Sequence, residues 1–249
     1  MGAFHEGHLH LMRRAREEND TVVVSIFVNP LQFGPNEDFE KYPRDLASDA
    51  AMAETVGVDI VFTPSVVQVY KNQPTTTIQV PLVGDLWEGS HRPGHFAGVA
   101  TVVVKLFNMV QPRTAYFGRK DFQQCAVVRR MVEDLNMSVN LSIEPTFRES
   151  DGLAMSSRNR YLSTDERSIA PELFEALNSD AEAIRNGVPI PGILQSRQEL
   201  LGNLGFVVDY YAYVDDLTLE PLTALVDCST LICAATLGST RLIDNVQVG

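Results

Sequence analysis

TVVVSIFVN, residues 21–29, is a run of β-branched and aromatic residues interrupted by Ser25 and ended by Asn29. A continuous apolar run, as opposed to an alternating one, marks a strand buried on both faces of a parallel sheet. A second run, VDIVF at 58–62, repeats the pattern. Between them Asp45 to Val56 places Leu46, Ala50, Ala53 and Val56 at helical spacing, which makes the three pieces a βαβ unit. The connecting segment NPLQFGPNEDFEKYPR, 29–44, is punctuated by proline, glycine and asparagine and reads as a loop. It is longer than a minimal strand-to-helix turn, so residues Gly34 to Arg44 are expected to move without ligand and to close over a bound one.

Outward from this unit the alternation continues. Gly98 to Val110 and Asp121 to Leu135 carry helical patterns, and Thr114 to Gly118 and Ser138 to Ile143 read as short strands. Strands alternating with helices predict an α/β fold with a Rossmann-like, doubly wound parallel sheet, in which ligands bind beyond the carboxyl ends of the strands. After Pro145 the rhythm changes. A polar loop, TFRESDGLAMSSRNR, precedes helical patterns over Asp165 to Arg185 and Ile193 to Leu204. Strand-like FVVDYYAYV from Phe206, TLICAAT from Thr230 and TRLIDNVQV from Thr240 follow. Clustered strands after helices predict a smaller α+β domain, so the expected division is 1–146 and 147–249.

Bulk properties narrow the function. With 249 residues and 45% hydrophobic content the chain can bury a full core. No stretch approaches the roughly 18 unbroken apolar residues of a membrane span, and a cytoplasmic protein without membrane partners is expected. A formal net charge of -12 argues against nucleic acid as a partner, because a phosphate backbone selects lysine and arginine. Cys125, Cys228 and Cys233 have apolar neighbours and no metal-type spacing, and are expected to be buried reduced thiols.

The chain begins MGAFHEGHLHLMRRA, where Leu9, Leu11, Met12 and Ala15 have helical spacing. His5 and His8 therefore fall in a first helical turn, with Gly7 letting a ligand approach the backbone. Helix N-termini attract anions, and two imidazoles there can donate to phosphate oxygens as charge develops. Surface histidines without a role are the alternative. Zinc is disfavoured, since no third ligand has a recognisable spacing and the HExxH order is absent. His91 and His95 flank a Pro-Gly turn in RPGHF and read as structural.

HEGH near the start and GLAMSSRN at 152–159 form the motif pair of the HxGH nucleotidyltransferase superfamily. Six segments in order, MGAFHEGH, FVNPLQFGPNEDFEKYPR, LWEGSHRPGHFAGV, YFGRKDFQQ, DGLAMSSRNRYL and TRLIDNV, resemble the pantothenate synthetase family over essentially the whole chain. The resemblance implies a reaction in which ATP and pantoate give pantoyl adenylate and pyrophosphate, after which β-alanine gives pantothenate and AMP. It also implies a homodimer, a first domain binding nucleotide and pantoate, and a C-terminal domain acting as a lid.

Site residues follow from the same resemblance. His8 matches the proton donor and His5 its phosphate-binding partner, and Lys120 supplies positive charge to the phosphates. Met1, Gly7, Gly118, Lys120, Asp121, Phe147, Met155, Ser156, Ser157 and Arg158 match ATP-binding positions. Gln32 and Gln124 match pantoate-binding positions, where an amide suits hydroxyls and a carboxylate. Asp49 lies where the family places an acidic group near Mg2+; a solvated helix-face aspartate is the alternative.

Two residues depart from the family pattern. Arg119 stands where glutamate is usual, reversing a charge beside Lys120, and Phe147 replaces a smaller β-branched residue. Family members also carry a strand ahead of the histidine loop. Its absence here predicts a sheet lacking a strand beside Thr21 to Asn29, and a truncated, less stable product with little activity. Competing functions are an inactive or truncated relative that binds nucleotide without turnover, and another HxGH nucleotidyltransferase. Neutral recognition by Gln32 and Gln124 disfavours the latter, since a second phosphate calls for arginine and lysine. The acidic charge and short length disfavour a tRNA synthetase.

Overall fold

The computed structural model describes residues 2–35, 39–40, 42–71 and 74–249. The chain divides into two compact units, one of residues 1–118 and 127–144, the other of residues 119–126 and 145–249. Among the described residues no helix is long and apolar enough to cross a membrane.

In the first unit, helix α1 (Glu6–Glu18) buries Leu9, Met12 and Ala15, the spacing of one apolar stripe. Strand β1 (Val23–Ser25) pairs in parallel with β2 (Ile60–Phe62), and the amide of Ile26 extends the ladder to the Phe62 carbonyl at 2.9 Å. Helix α2 (Leu46–Thr55) connects them, completing the expected βαβ unit. Its start is set by Asp45, whose carboxylate accepts the amide of Ser48 at 3.0 Å as an N-cap. Phe4, Leu9, Met12, Val24 and Ala53 close one core between α1, β1 and α2.

Two five-residue helices, α3 (Val66–Tyr70) and α4 (Trp87–His91), lead to the long α5 (His95–Val110). Strand β3 (Thr114–Gly118), helix α6 (Phe122–Asp134) and strand β4 (Asn140–Glu144) form the second parallel pair. Helix α1 is tied to both pairs. Arg16 donates to Asp59, next to β2, at 2.7 Å, and the Tyr116 hydroxyl of β3 donates to Glu18 at 2.7 Å.

The parallel strands of the expected α/β fold form two pairs, since among the described residues β1 bonds only to β2 and β3 only to β4. The predicted strand over Thr21 to Asn29 also shrinks, because beyond Ile26 the backbone turns toward a 3₁₀ segment at Pro30–Gln32.

The second unit has the expected α+β character. Three antiparallel strands, β5 (Phe206–Asp215), β6 (Ser229–Leu237) and β7 (Thr240–Gln247), lie in sequential order. Against them pack α8 (Glu172–Arg185) and α9 (Ile190–Asn203), preceded by the short α7 (Thr164–Ile169). The single helix predicted over Asp165 to Arg185 is broken at Pro171, which cannot donate the amide that a continuous helix needs there. Inside this core Asp180, 3% exposed, accepts from Arg197 and from the Tyr211 hydroxyl at 2.7 Å. Burial, with that carboxylate beside it, raises the Tyr211 pKa.

Cys125 and Cys233 are buried as predicted, but Cys228 is exposed in the turn entering β6 with φ of 56°. A short run of hydrophobics in a turn does not guarantee burial. Burial lifts the Cys233 thiol well above its usual pKa, which keeps it protonated and inert.

Candidate active site

The predicted site residues divide between the two units. In the first, residues 2–5 lead into α1 with His5 as N-cap in extended backbone and His8 in the first turn. The two imidazoles lie with centroids 4.0 Å apart, tilted by 37°, and the Phe4 ring is 5.5 Å from His8. The amide of His5 donates to Nδ1 of His8 at 3.3 Å. An Nδ1 that accepts puts the proton of a neutral ring on Nε2, making His8 a donor from that edge.

Asp49 is 3% exposed, at the start of α2. Its Oδ2 accepts the Ala3 amide at 2.8 Å and its Oδ1 the Phe4 amide at 2.6 Å. The geometry thus engages Asp49 with the histidine loop, and the solvated-aspartate alternative is excluded by its burial. Met1, expected to contact nucleotide, lies outside the described residues.

Gln32 ends a 3₁₀ turn capped by Asn29, whose Oδ1 accepts the Leu31 amide at 3.2 Å. Asn29 is 2% exposed. Its Nδ2 donates to Gln32 Oε1 at 3.1 Å and to the Gly98 carbonyl at 3.1 Å, and its Oδ1 accepts the Tyr70 hydroxyl at 2.5 Å. Burial raises the Tyr70 pKa to about 12, so this hydroxyl stays a donor. Gly98 admits the close approach, since a Cβ there would lie 2.2 Å from the Leu31 carbonyl oxygen. From the other side the Gln32 carbonyl contacts His95 Nδ1 at 2.8 Å and accepts Arg92 at 3.3 Å.

A pocket of about 360 Å³ opens here, lined by Gln32, Phe33, Gly34, Arg92 and His95 among others. Its size is that of a small-molecule site. His95 fits its predicted structural role, being buried at the start of α5. His91 also lines the pocket. Part of the loop expected to act as a lid, 36–38 and 41, lies outside the described residues. In its described part Phe33 meets Phe39 and Tyr42 edge-on at 5.3 and 5.9 Å, and Arg44 stacks on Phe39 at 5.0 Å.

In the second unit, the GRKD turn follows β3. Asn245 of β7 donates from Nδ2 to the carbonyls of Arg119 and Lys120 at 2.9 and 3.1 Å, fixing the backbone beneath the lysine. Lys120 Nζ lies 3.9 Å from Asp121. Arg119 is turned elsewhere. It donates to Asp216 at 3.2 Å and Thr230 at 2.9 Å, and sits 5.2 Å over the Phe122 ring. The reversed charge at this position is therefore answered by Asp216. Gln124 is half-buried in the first turn of α6.

Residues 147–155 form a small bridged loop in which the Met155 amide bonds the Phe147 carbonyl at 3.0 Å. Beneath it Arg148 donates to both oxygens of Asp244, at 2.7 and 2.9 Å, and to the Gly152 carbonyl at 3.0 Å. Its guanidinium lies 3.7 Å over Phe174. Burial raises the Asp244 pKa, against the opposing pull of Arg148. Gly152 has φ of 92°, and a Cβ there would come within 2.6 Å of the Phe174 ring. Asn159 ties the loop to Glu149 at 2.9 Å, and Arg167 clasps Glu149 and Asp151 at 2.7 and 2.6 Å. Ser156 caps the 3₁₀ turn Ser157–Tyr161 by accepting the Arg158 amide at 3.2 Å. This arrangement presents two serine hydroxyls and a guanidinium on a braced backbone, groups suited to phosphate oxygens.

Sequence reasoning misses Asn29, Tyr70, Asn245 and Asp244. The Asn-Pro pair at 29–30 is a turn signal that could have found the first; Asp244 and Asn245 sit inside TRLIDNV, where nothing in the local pattern singles them out.

The family model described as pantoate-beta-alanine ligase matches residues 1–247. The pantothenate synthetase of Acidiphilium cryptum is 50% identical over 248 residues, which cover 100% of this chain and 89% of that protein. That of Caldicellulosiruptor saccharolyticus is 48% identical over 250 residues, with the same coverage of 100% and 89%. Among solved structures, pantothenate synthetase from Thermus thermophilus superposes with a TM-score of 0.96 at 50% identity, covering 100% of this chain and 91% of that one. Pantoate-beta-alanine ligase from Francisella tularensis, in complex with beta-gamma ATP and beta-alanine, gives a TM-score of 0.83 at 34% identity, with coverage of 99% and 86%.

Proposed function

The chain belongs to the pantoate-beta-alanine ligase family, and we propose that it condenses pantoate with β-alanine by way of pantoyl adenylate, consuming ATP and releasing AMP and pyrophosphate. The observation that carries this reading is the His8 ring at the start of α1, its Nδ1 occupied by a backbone amide so that Nε2 is the donor. In the first step a pantoate carboxylate oxygen attacks the α-phosphorus of ATP and the bond to the bridging oxygen of pyrophosphate breaks. Negative charge grows on the phosphate oxygens, where fixed donors contribute most. His8 and His5 are proposed as such donors. So are Lys120, Ser156, Ser157 and Arg158. In the second step the β-alanine nitrogen attacks the acyl carbon, the bond to AMP oxygen breaks, and the nitrogen loses its protons.

Gln32 and Gln124 are proposed to bind pantoate through amide donors and acceptors. For Gln32 the bond from Asn29 to Oε1 supports this, since it orients the amide and turns Nε2 away from Asn29. Gly7, Gly118, Asp121, Phe147 and Met155 are assigned to the nucleotide. A homodimer in the cytoplasm belongs to the same proposal, on the family resemblance alone.

Mg2+ is the expected companion of ATP. Among the described residues no three His, Cys, Asp or Glu side chains gather into a metal-holding group, and both Asp49 oxygens already accept backbone amides. The described residues do not fit a protein-built metal site.

The test is pyrophosphate release with each substrate omitted in turn. Release should require both ATP and pantoate, and β-alanine should yield pantothenate and AMP in equal amounts. Release independent of pantoate, or ADP in place of AMP, would overturn the assignment.

A further inference from the structure

Three consecutive backbone amides ahead of α1 have defined acceptors. Those of Ala3 and Phe4 point at the two oxygens of Asp49, and that of His5 points at Nδ1 of His8. Ala3 has φ of 51°, a left-handed conformation that costs a non-glycine residue about 1–3 kcal/mol unless its surroundings compensate. Successive amides turned to one side by such a residue form a concavity for an anion. Here a side chain of the protein itself fills it, and charge-assisted hydrogen bonds offset the burial of the carboxylate. The carboxylate cannot easily retreat, because Phe4 packs in the same core cluster as Ala53, one turn along the helix that carries Asp49.

We infer that Asp49 is a positioning residue that fixes the tautomer of His8 through the backbone. By holding the peptide of residues 3–4, it aims the next amide, that of His5, at His8 Nδ1, and so keeps the ring proton on Nε2. A loosened loop lets Nδ1 compete for the proton, and the edge facing the substrate then loses its donor for part of the population. This goes beyond the proposed function and rests on it only for the assignment of His8 as donor; the backbone linkage stands apart.

Asp49→Asn tests it, since the amide keeps the shape but can accept only one of the two bonds. In histidine-labelled protein, 15N spectra with His8 assigned through His8→Gln should show the Nε2–H form in the parent chain and a mixture in Asp49→Asn. Pantoate-dependent pyrophosphate release should fall about 10²-fold in kcat, the scale for a misplaced catalytic group, with KM for pantoate within about twofold. An unchanged His8 tautomer overturns the inference, whatever happens to the rate. A shifted tautomer with an unaltered rate confirms the backbone linkage and instead removes His8 from the donor role, which separates this failure from that of the proposed function. Should Asp49→Asn not fold, amide exchange in the parent chain decides: Ala3 and Phe4 should exchange slowly despite lying outside any helix or strand, and exchange at free-peptide rates would overturn the linkage.

Discussion

Ahead of α1 the amides of Ala3 and Phe4 are both held by one buried carboxylate, whereas residues 147–159 are held by a lattice of side chains in which Arg148, Arg167 and Asn159 each make two or more ties. Both segments carry groups assigned to phosphate. The first is short and has few side chains of its own, so its conformation is imposed from α2. The second includes Arg148, Glu149 and Asp151, through which several ties bind it to β7 and α7 at once. A single fixing point is sensitive to one substitution. A lattice spreads the cost, except where one of its members is buried.

That exception gives the largest expected effect on stability. Arg148→Ala strips the partner from Asp244, 3% exposed, and breaking a buried pair from one side costs about 3–5 kcal/mol. Denaturant unfolding should show this loss, and Arg148→Ala with an unaltered midpoint would mean that the lattice does not depend on its buried member. Next come His8→Ala and Lys120→Ala, which should lower the adenylation rate by about 10²–10³ while changing pantoate binding far less. Equal losses in kcat and in pantoate affinity would show uniform binding by these groups, and would erase the distinction between holding a loop and using it.

The smallest effect concerns the outer clasp. The bond from Arg167, opposed by partial desolvation and aided by the Leu153 amide, holds the Asp151 carboxyl below its usual pKa. A depressed pKa contributes stability above the unfolded value of about 3.9, and this is lost as pH falls through the folded value. With the Asp151 side chain 39% exposed, solvent screening limits the contribution to about 0.2–1 kcal/mol. Arg167→Met should flatten the fall in stability below about pH 4 by that amount, measured by urea midpoints across pH. A slope identical to that of the parent chain would show the clasp to be idle.

Much of this organisation is visible in the sequence where local chemistry sets it. Helix α2 begins after Asp45 as its spacing predicts, Thr114–Gly118 is a strand, and the three C-terminal strands follow their apolar runs. HEGH stands at a helix start as its spacing predicts, whereas the serines of GLAMSSRN, read as loop, cap and open a 3₁₀ turn. The fixing points are hidden for a physical reason. Asp49 acts on backbone amides 46 and 45 residues away, and a backbone donor leaves no side-chain pattern to read. Asn29 joins Tyr70 and Gly98, partners brought close only by the fold. The short α3 does carry a signal, the capping box of Ser65 and Gln68, but five residues are too few for a periodicity. Apolar runs tell which segments are strands and not which strands bond to each other, so the pairing of β1 with β2 and of β3 with β4 is read only from the fold.

In the proposed reaction a pantoate carboxylate oxygen becomes bonded to the α-phosphorus before the amine arrives. Pantoate labelled with 18O in its carboxylate, incubated with ATP and β-alanine, should transfer one labelled oxygen to AMP, read by mass spectrometry of the isolated nucleotide. AMP free of label, with both oxygens retained or lost to water, would exclude pantoyl adenylate as the intermediate.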